Sequence, residues 1–295
     1  MIRFVRGHAD VSIAVADSGG TGAPVLFVHG FAHQRSVWTG VIARLASPVR
    51  ALAVDLRGHG ESGWSIPGEY DVGHHALDLV QLIDQLSLER VTIVAHSLGG
   101  NAATLATAAR ADRVAGLVLV DTGPGLSTAG LQWIAAGATG PILSYACIAE
   151  YRASLDATHP LADPASLDRL AAASLVRRVD GRFEARLDPA VLRGPVDPGV
   201  LAAVEERLWR ALAAVRCPTL VVRGAKSAML PAASAKRMVD EVLERGELRV
   251  IEAAGHSVML DAEAELASRI DAFLAARRVP RRAPLPRIVH GPTVL

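Results

Sequence analysis

The chain has 295 residues, of which 51% are hydrophobic and 21% charged, with a formal net charge of +1 at pH 7. That is core enough for one large α/β domain, or for a core domain with an inserted lobe. It excludes a disordered chain, and it excludes a nucleic-acid binder driven by overall charge.

The first residues, Met1 to His8, contain no apolar stretch of the secretory type, and no uninterrupted apolar segment is long enough to span a bilayer. A cytoplasmic protein is expected. Cys147 and Cys217 stand far apart without metal-type spacing, and Cys217, just before Pro218, reads as a buried thiol. Residues 12–16 alternate weakly, and residues 24–29 form a short apolar strand ended by Gly30. Residues 36–46 have helical spacing (Val37, Val41, Leu45), and residues 50–55 read as a strand followed by the glycine-rich run from Asp55 to Gly60. Residues 71–86 form an amphipathic helix with Ala76, Leu79, Val80, Ile83 and Leu86 on one face. The β-branched run from Val91 stops at Ser97, and helix-forming sequence follows at once through residues 101–110. Another apolar strand, 114–120, ends at Asp121; near the end, strands 219–222 and 248–251 alternate with helices 232–243 and 262–276.

Short buried strands alternating with helices imply a mostly parallel sheet covered on both faces. Sites on such sheets are built from loops at the carboxyl ends of the strands. Residues 122–216 break the alternation, with helical patterns at 131–152, 166–179 and 201–215, many prolines and no convincing run of strands. They read as a helical cap between two core segments, 1–121 and 217–276. The cap aromatics Trp133, Tyr145, Tyr151 and Trp209 suit an acyl or other lipophilic substrate, although packing onto the core is the commoner role of such residues. In the tail, 277–295, Pro280, Pro284, Pro286 and Pro292 preclude a helix, and a surface-draped terminus is expected.

A strand that turns directly into a helix leaves its corner residue strained and projecting. Ser97 occupies that corner between the small residues Ala95 and Gly99, at a helix N-terminus that favours negative charge. It reads as a nucleophile. His256, in the loop after strand 248–251, reads as its base. The backbone N–H groups of Leu98 and Phe31 read as donors to an oxyanion. His29 and His59 are expected to scaffold loops, His74 and His75 to be solvated, and His96 to point away from Ser97. No metal cluster or nucleotide-binding glycine pattern is present in the sequence, so no cofactor is expected.

The order His29-Gly30-Phe31, Asp55-x-Arg-Gly-x-Gly-x-Ser62, Ala95-His-Ser-Leu-Gly99 and Gly255-His256 resembles the α/β-hydrolase family, in its serine-nucleophile, esterase- or thioesterase-like branch. The resemblance covers nearly all of the chain except the cap and tail. It implies a doubly wound, mostly parallel eight-stranded sheet, a helical cap after the sixth strand, and Ser97 with His256 as nucleophile and base. Ala95 stands where the family more often has glycine, and alanine is small enough for the turn. Ser97 also sets the chain apart from the epoxide hydrolase and haloalkane dehalogenase branches, which carry a carboxylate there.

The family's acid usually stands a few residues beyond the glycine ending the seventh strand. Here that loop, Arg223 to Pro231, has no Asp or Glu, and Ser227 and Ala228 occupy the place. Asp121, at the end of the sixth strand, holds the acid's position in some members and can approach the other ring nitrogen of His256. An aspartate there also serves as a structural cap of the following loop, and both readings stand. If Asp121 is the acid, Asp121→Asn should lower reaction with a fluorophosphonate strongly, and Ser227→Ala should not. The leading function is hydrolysis of an ester, thioester or lactone through a Ser97 acyl-enzyme. The alternatives are an acyltransferase or cyclase on the same scaffold, or a degenerate hydrolase that binds a ligand or partner. A small-molecule substrate is the expected partner, with neither nucleic acid nor membrane; a homodimer is compatible with the sequence.

Overall fold

The computed structural model describes residues 1–66, 68–125, 127, 144–193 and 197–278. Its strands are β1 (Ile2–Arg6), β2 (Ser12–Asp17), β3 (Ala23–Val28), β4 (Val49–Val54), β5 (Val91–His96), β6 (Val114–Val120), β7 (Ser144–Tyr145), β8 (Leu175–Arg177), β9 (Phe183–Ala185), β10 (Thr219–Gly224) and β11 (Gly246–Ile251). Its helices are α1 (Thr39–Ala43), α2 (Val72–Gln85), α3 (Ser97–Ala109), α4 (Ile148–Thr158), α5 (Pro164–Ser174), α6 (Pro198–Ala214), α7 (Ala232–Arg237), α8 (Val258–Asp261) and α9 (Glu263–Arg278).

Eight strands form one sheet in the order β1-β2-β4-β3-β5-β6-β10-β11. The pairings β1–β2 and β2–β4 are antiparallel, and the others are parallel. Every residue of β5 is buried, as expected of a central strand covered on both faces. One core layer joins Ile93 and Leu119 to Leu79 and Ile83 of α2 and Ala103 of α3. The other joins Phe27, Val94 and Val118 to Trp38, Val41 of α1 and Ile270 of α9. The sheet is doubly wound. Strand β1 goes beyond the strands read from the periodicity: it is an edge strand whose apolar Ile2 and Phe4 are 43% and 60% exposed, so it carries no burial pattern to read.

The segment between β6 and β10 is not purely helical. Its described residues include α4, α5 and α6, but also a small antiparallel sheet in the order β7-β9-β8. These strands have two or three residues each, too few to show alternation. The helical pattern over 166–179 ends early, because Leu175 is already extended (φ −104°, ψ 150°). Helix α6 buries Leu208 and Leu212, packs against α3 and joins the first core layer, while α4 and α5 lie over the carboxyl end of the sheet. No helix among the described residues is long and apolar enough to cross a membrane.

Strand β3 lies between β4 and β5, so the chain leaves it toward one side of the sheet and later returns on the other. Such a switch point opens a crevice at the carboxyl ends of the strands. The loop His29-Gly30-Phe31 leaves β3 there, and Ser97 follows β5 there. The glycine-rich loop after β4 is pinned beneath it: Arg57, fully buried, donates two hydrogen bonds of 2.6 and 2.7 Å to Asp78.

Candidate active site

Ser97 has a φ of +50°, the left-handed region that few non-glycine residues adopt. The strained corner holds its hydroxyl clear of β5 at the start of α3. Its small neighbours are steric requirements. A Cβ on Gly99 would lie 2.2 Å from the His29 carbonyl oxygen, and one on Gly30 would lie 2.6 Å from His96 Nδ1 and 2.9 Å from the Ser97 Cβ. Strand end, loop and helix start therefore close together only with glycine at both places.

The structure brings Ser97, His256 and Asp121 into one line. His256 Nε2 is 3.1 Å from Ser97 Oγ, and its Nδ1 is 2.7 Å from Asp121 Oδ2. The Asp121 side chain is fully buried, whereas that of His256 is 20% exposed. Two further donors hold the carboxylate: the Gly224 N–H to Oδ1 at 3.1 Å and the Ser227 hydroxyl to Oδ2 at 2.5 Å. Ser227 Oγ in turn accepts from the Met229 N–H at 3.1 Å. Ser227, expected to be a bystander, is thus a direct partner of Asp121. With Asp121 as a buried three-way acceptor, the Nδ1–H form of His256 is favoured and Nε2 is left to accept the serine proton.

His96 does not point away. Its ring lies 4.6 Å from that of His256, its Nε2 donates to the His256 carbonyl at 3.0 Å, and it lines the cavity beside Ser97. Extended backbone at His96 (φ −111°, ψ 138°) followed by the left-handed Ser97 aims both side chains at one crevice. His75 is not solvated either: it is fully buried, while His74 remains part-exposed beside Asp71. His29 and His59 do scaffold loops. His29 Nδ1 donates to the Gly30 carbonyl and Nε2 accepts from the Leu56 N–H, while His59 Nδ1 donates to the Arg57 carbonyl.

Burial pushes His29 down to about 4 and His59 down to about 3, from an ordinary 6.5. Burial also holds His75 and His96 well below that value. These rings stay neutral in the fold but take up protons in the unfolded chain below pH 6.5. Folding stability is therefore expected to fall as pH drops from about 6.5 toward 4, by up to about 1.4 kcal/mol per pH unit for each such ring. Urea midpoints measured across that window test this, and a flat profile contradicts it.

A cavity of about 450 Å³ opens on Ser97 and His256. Its walls are mainly apolar: Phe31, Tyr151, Leu155, Leu161, Leu170 and Met229, with Lys226 and Asp261 also on the lining. Of the four cap aromatics, Tyr151 lines this space, and Tyr145 backs it with ring centroids 5.0 Å apart. Trp209 does not line it: α6 packs on α3, and the indole lies under Arg237, whose guanidinium is 4.1 Å from the ring centre. Trp133 lies outside the described residues. Tyr151, Leu155 and Thr158 line the wall at helical spacing along α4, a pattern that the sequence carries but that reads equally well as cap packing.

A model of the alpha/beta hydrolase family matches residues 25–269. The chain belongs to the α/β-hydrolase family. This α/β-hydrolase is 34% identical over 122 residues to a putative 2-succinyl-6-hydroxy-2,4-cyclohexadiene-1-carboxylate synthase of Bacillus subtilis, and the match spans 41% of this chain but only 44% of that protein. It is 29% identical over 248 residues to an esterase of Mycobacterium tuberculosis, across 82% of this chain and 80% of that one. A crystal structure of that esterase superposes with a TM-score of 0.77 at 26% identity, covering 93% of this chain and 92% of the other. The structure of an E-2-(acetamidomethylene)succinate hydrolase superposes with a TM-score of 0.81 at 25% identity, over 93% and 99% of the two chains. The esterase and the E-2-(acetamidomethylene)succinate hydrolase, each matched over four fifths or more of its length, support enzyme activity for this α/β-hydrolase.

Proposed function

We propose that this α/β-hydrolase cleaves a carboxylic ester, thioester or lactone with an apolar acyl part, through an acyl-enzyme on Ser97. The reading rests on the continuous relay from the Ser97 hydroxyl through His256 to the buried Asp121 carboxylate. His256 Nε2 takes the hydroxyl proton as Ser97 Oγ attacks the carbonyl carbon. Asp121 holds the ring in its productive tautomer and stabilises the imidazolium that forms. The Leu98 N–H lies in the first turn of α3, where no intrahelical acceptor is available, and together with the Phe31 N–H it stabilises the negative oxygen of the tetrahedral intermediate. The intermediate then collapses, the bond to the leaving group breaks, and His256 returns the proton to that group. Water, deprotonated by the same ring, attacks the acyl-enzyme and releases the carboxylic acid.

The esterase relative matched over most of its length supports this reading. So does the apolar lining. Acyl transfer or cyclisation uses the same intermediate and differs only in what attacks it. A degenerate, binding-only site has no use for so connected a relay. A series of nitrophenyl esters with product analysis separates these cases. Each acyl methylene that enters the cavity is expected to raise kcat/KM about fourfold, from about 0.8 kcal/mol of burial, until the cavity is full. The free acid should be the product. No turnover across the series by folded protein overturns the hydrolase, and an acylated alcohol in place of the acid makes it a transferase.

A further inference from the structure

The far end of the sheet carries a second cavity, of about 470 Å³, at the amino ends of β5, β6 and β10. Four arginines line it: Arg90, Arg216, Arg245 and Arg277. Arginines nearby are matched with carboxylates, as in Arg113 with Glu89, Arg249 with Glu247, and Arg269 with Glu265. Arg216 has only an exposed contact of 3.5 Å with Glu244. Arg90, Arg245 and Arg277 have no carboxylate partner among the described residues. Burial pushes the Cys217 thiol up, so the other ionisable side chain among the described lining residues brings no negative charge.

The surroundings are shaped around this charge. A Cβ on Gly116 would lie 2.0 Å from Arg277 Nη1, so glycine at this strand position makes room for a guanidinium laid against the sheet. The β5–β6 register shifts at Val91 and Thr92, and the Arg277 guanidinium donates to the Thr92 hydroxyl at 2.6 Å. The Phe273 ring lies 5.2 Å from the Arg277 guanidinium. Burial lowers the pKa of Arg277, and so do the like charges of Arg90 and Arg245. Arg90 itself sits at a φ of +53°, a left-handed position that costs energy for any residue with a Cβ. Arg90, Arg216 and Arg245 are exposed at the mouth and Arg277 is half-buried beneath them; their like charges repel one another, and an anion among them relieves that repulsion. Guanidinium forks match phosphate oxygens two at a time.

We infer that this cavity is a binding site for the diphosphate or phosphate group of an organic ligand. Its arginines take the anion, and its floor of Ala111, Val114, Ala115, Pro218 and Ala276 takes the apolar part. The cavity is larger than a lone phosphate needs. Arg90 directly precedes β5 and Ser97 directly follows it, so six residues of strand separate the two sites by about 20 Å. The ligand therefore does not compete with substrate.

Inorganic pyrophosphate is the probe, titrated into the 295-residue chain by calorimetry at matched ionic strength. It is expected to bind saturably, and more tightly than orthophosphate because it spans more than one guanidinium. The Arg90→Ser/Arg245→Ser variant should weaken it about tenfold or more, as each lost charge-assisted bond predicts. Gly116→Ala, which displaces the Arg277 guanidinium without removing it, should weaken it as well, whereas Ser97→Ala should leave it unchanged. Heats no larger than those of sulfate overturn the inference, as does equal affinity in the Arg90→Ser/Arg245→Ser protein. Binding of an oligonucleotide without pyrophosphate affinity also overturns it, since the face then takes a polymer.

Discussion

Replacing Ser97 with alanine is expected to lower ester turnover by about a million-fold and to leave the fold intact. The left-handed φ of +50° suits alanine no better and no worse than serine, because both carry a Cβ. What disappears is the hydroxyl oxygen that lies 3.1 Å from His256 Nε2. Catalysis that remains comes from substrate binding and the oxyanion donors, typically about 10³- to 10⁴-fold over water in sites of this kind. The measurement is kcat/KM with thermal unfolding as the control for folding. A loss below about a hundredfold would assign the attack to another group.

Asp121→Asn is expected to lower turnover by about 10⁴-fold, and the hydrogen bonds around the carboxylate say why. Three donors point at Asp121: the His256 ring N–H and the Ser227 hydroxyl at Oδ2, and the Gly224 backbone N–H at Oδ1. An amide has only one oxygen. Turned toward His256, it leaves its NH₂ facing the Gly224 N–H, and a buried backbone donor without an acceptor costs about 1–3 kcal/mol. Turned toward Gly224, it presents NH₂ to the His256 ring, which then flips to the tautomer that cannot accept from Ser97. The Ser227 hydroxyl rotates to suit either case and rescues neither. Ser227→Ala removes one donor from the carboxylate and is expected to cost about tenfold, roughly the worth of one hydrogen bond to a charged group. Steady-state kinetics on the two variants and the unaltered protein measures both effects. Near-normal rates for Asp121→Asn would make Asp121 a loop cap.

The sequence reveals what depends on local pattern and hides what depends on register across the sheet. The central strands are legible because parallel strands buried on both faces read as apolar runs, as Val91–His96 does. Strand β1 is hidden because Ile2 and Phe4 face solvent, and the small cap sheet because its strands are too short to alternate. Ser97 and His256 are legible as punctuation at strand ends. The contact between Ser227 and Asp121 is not, since it follows from pairing Val120 with Val222 across β6 and β10 and from the turn beyond. His96 is misplaced by assuming that consecutive side chains diverge, an assumption that the left-handed corner breaks. Trp209 is misplaced because composition says nothing of which way a cap helix faces, and α6 turns its ring toward α3 and Arg237.

The relay itself is tested most directly by intact-protein and peptide mass spectrometry after reaction with a fluorophosphonate. One adduct per chain is predicted, on Ser97, formed far more slowly in folded Asp121→Asn protein. An adduct on another residue, or Asp121→Asn protein that labels as fast as the unaltered chain, contradicts the account.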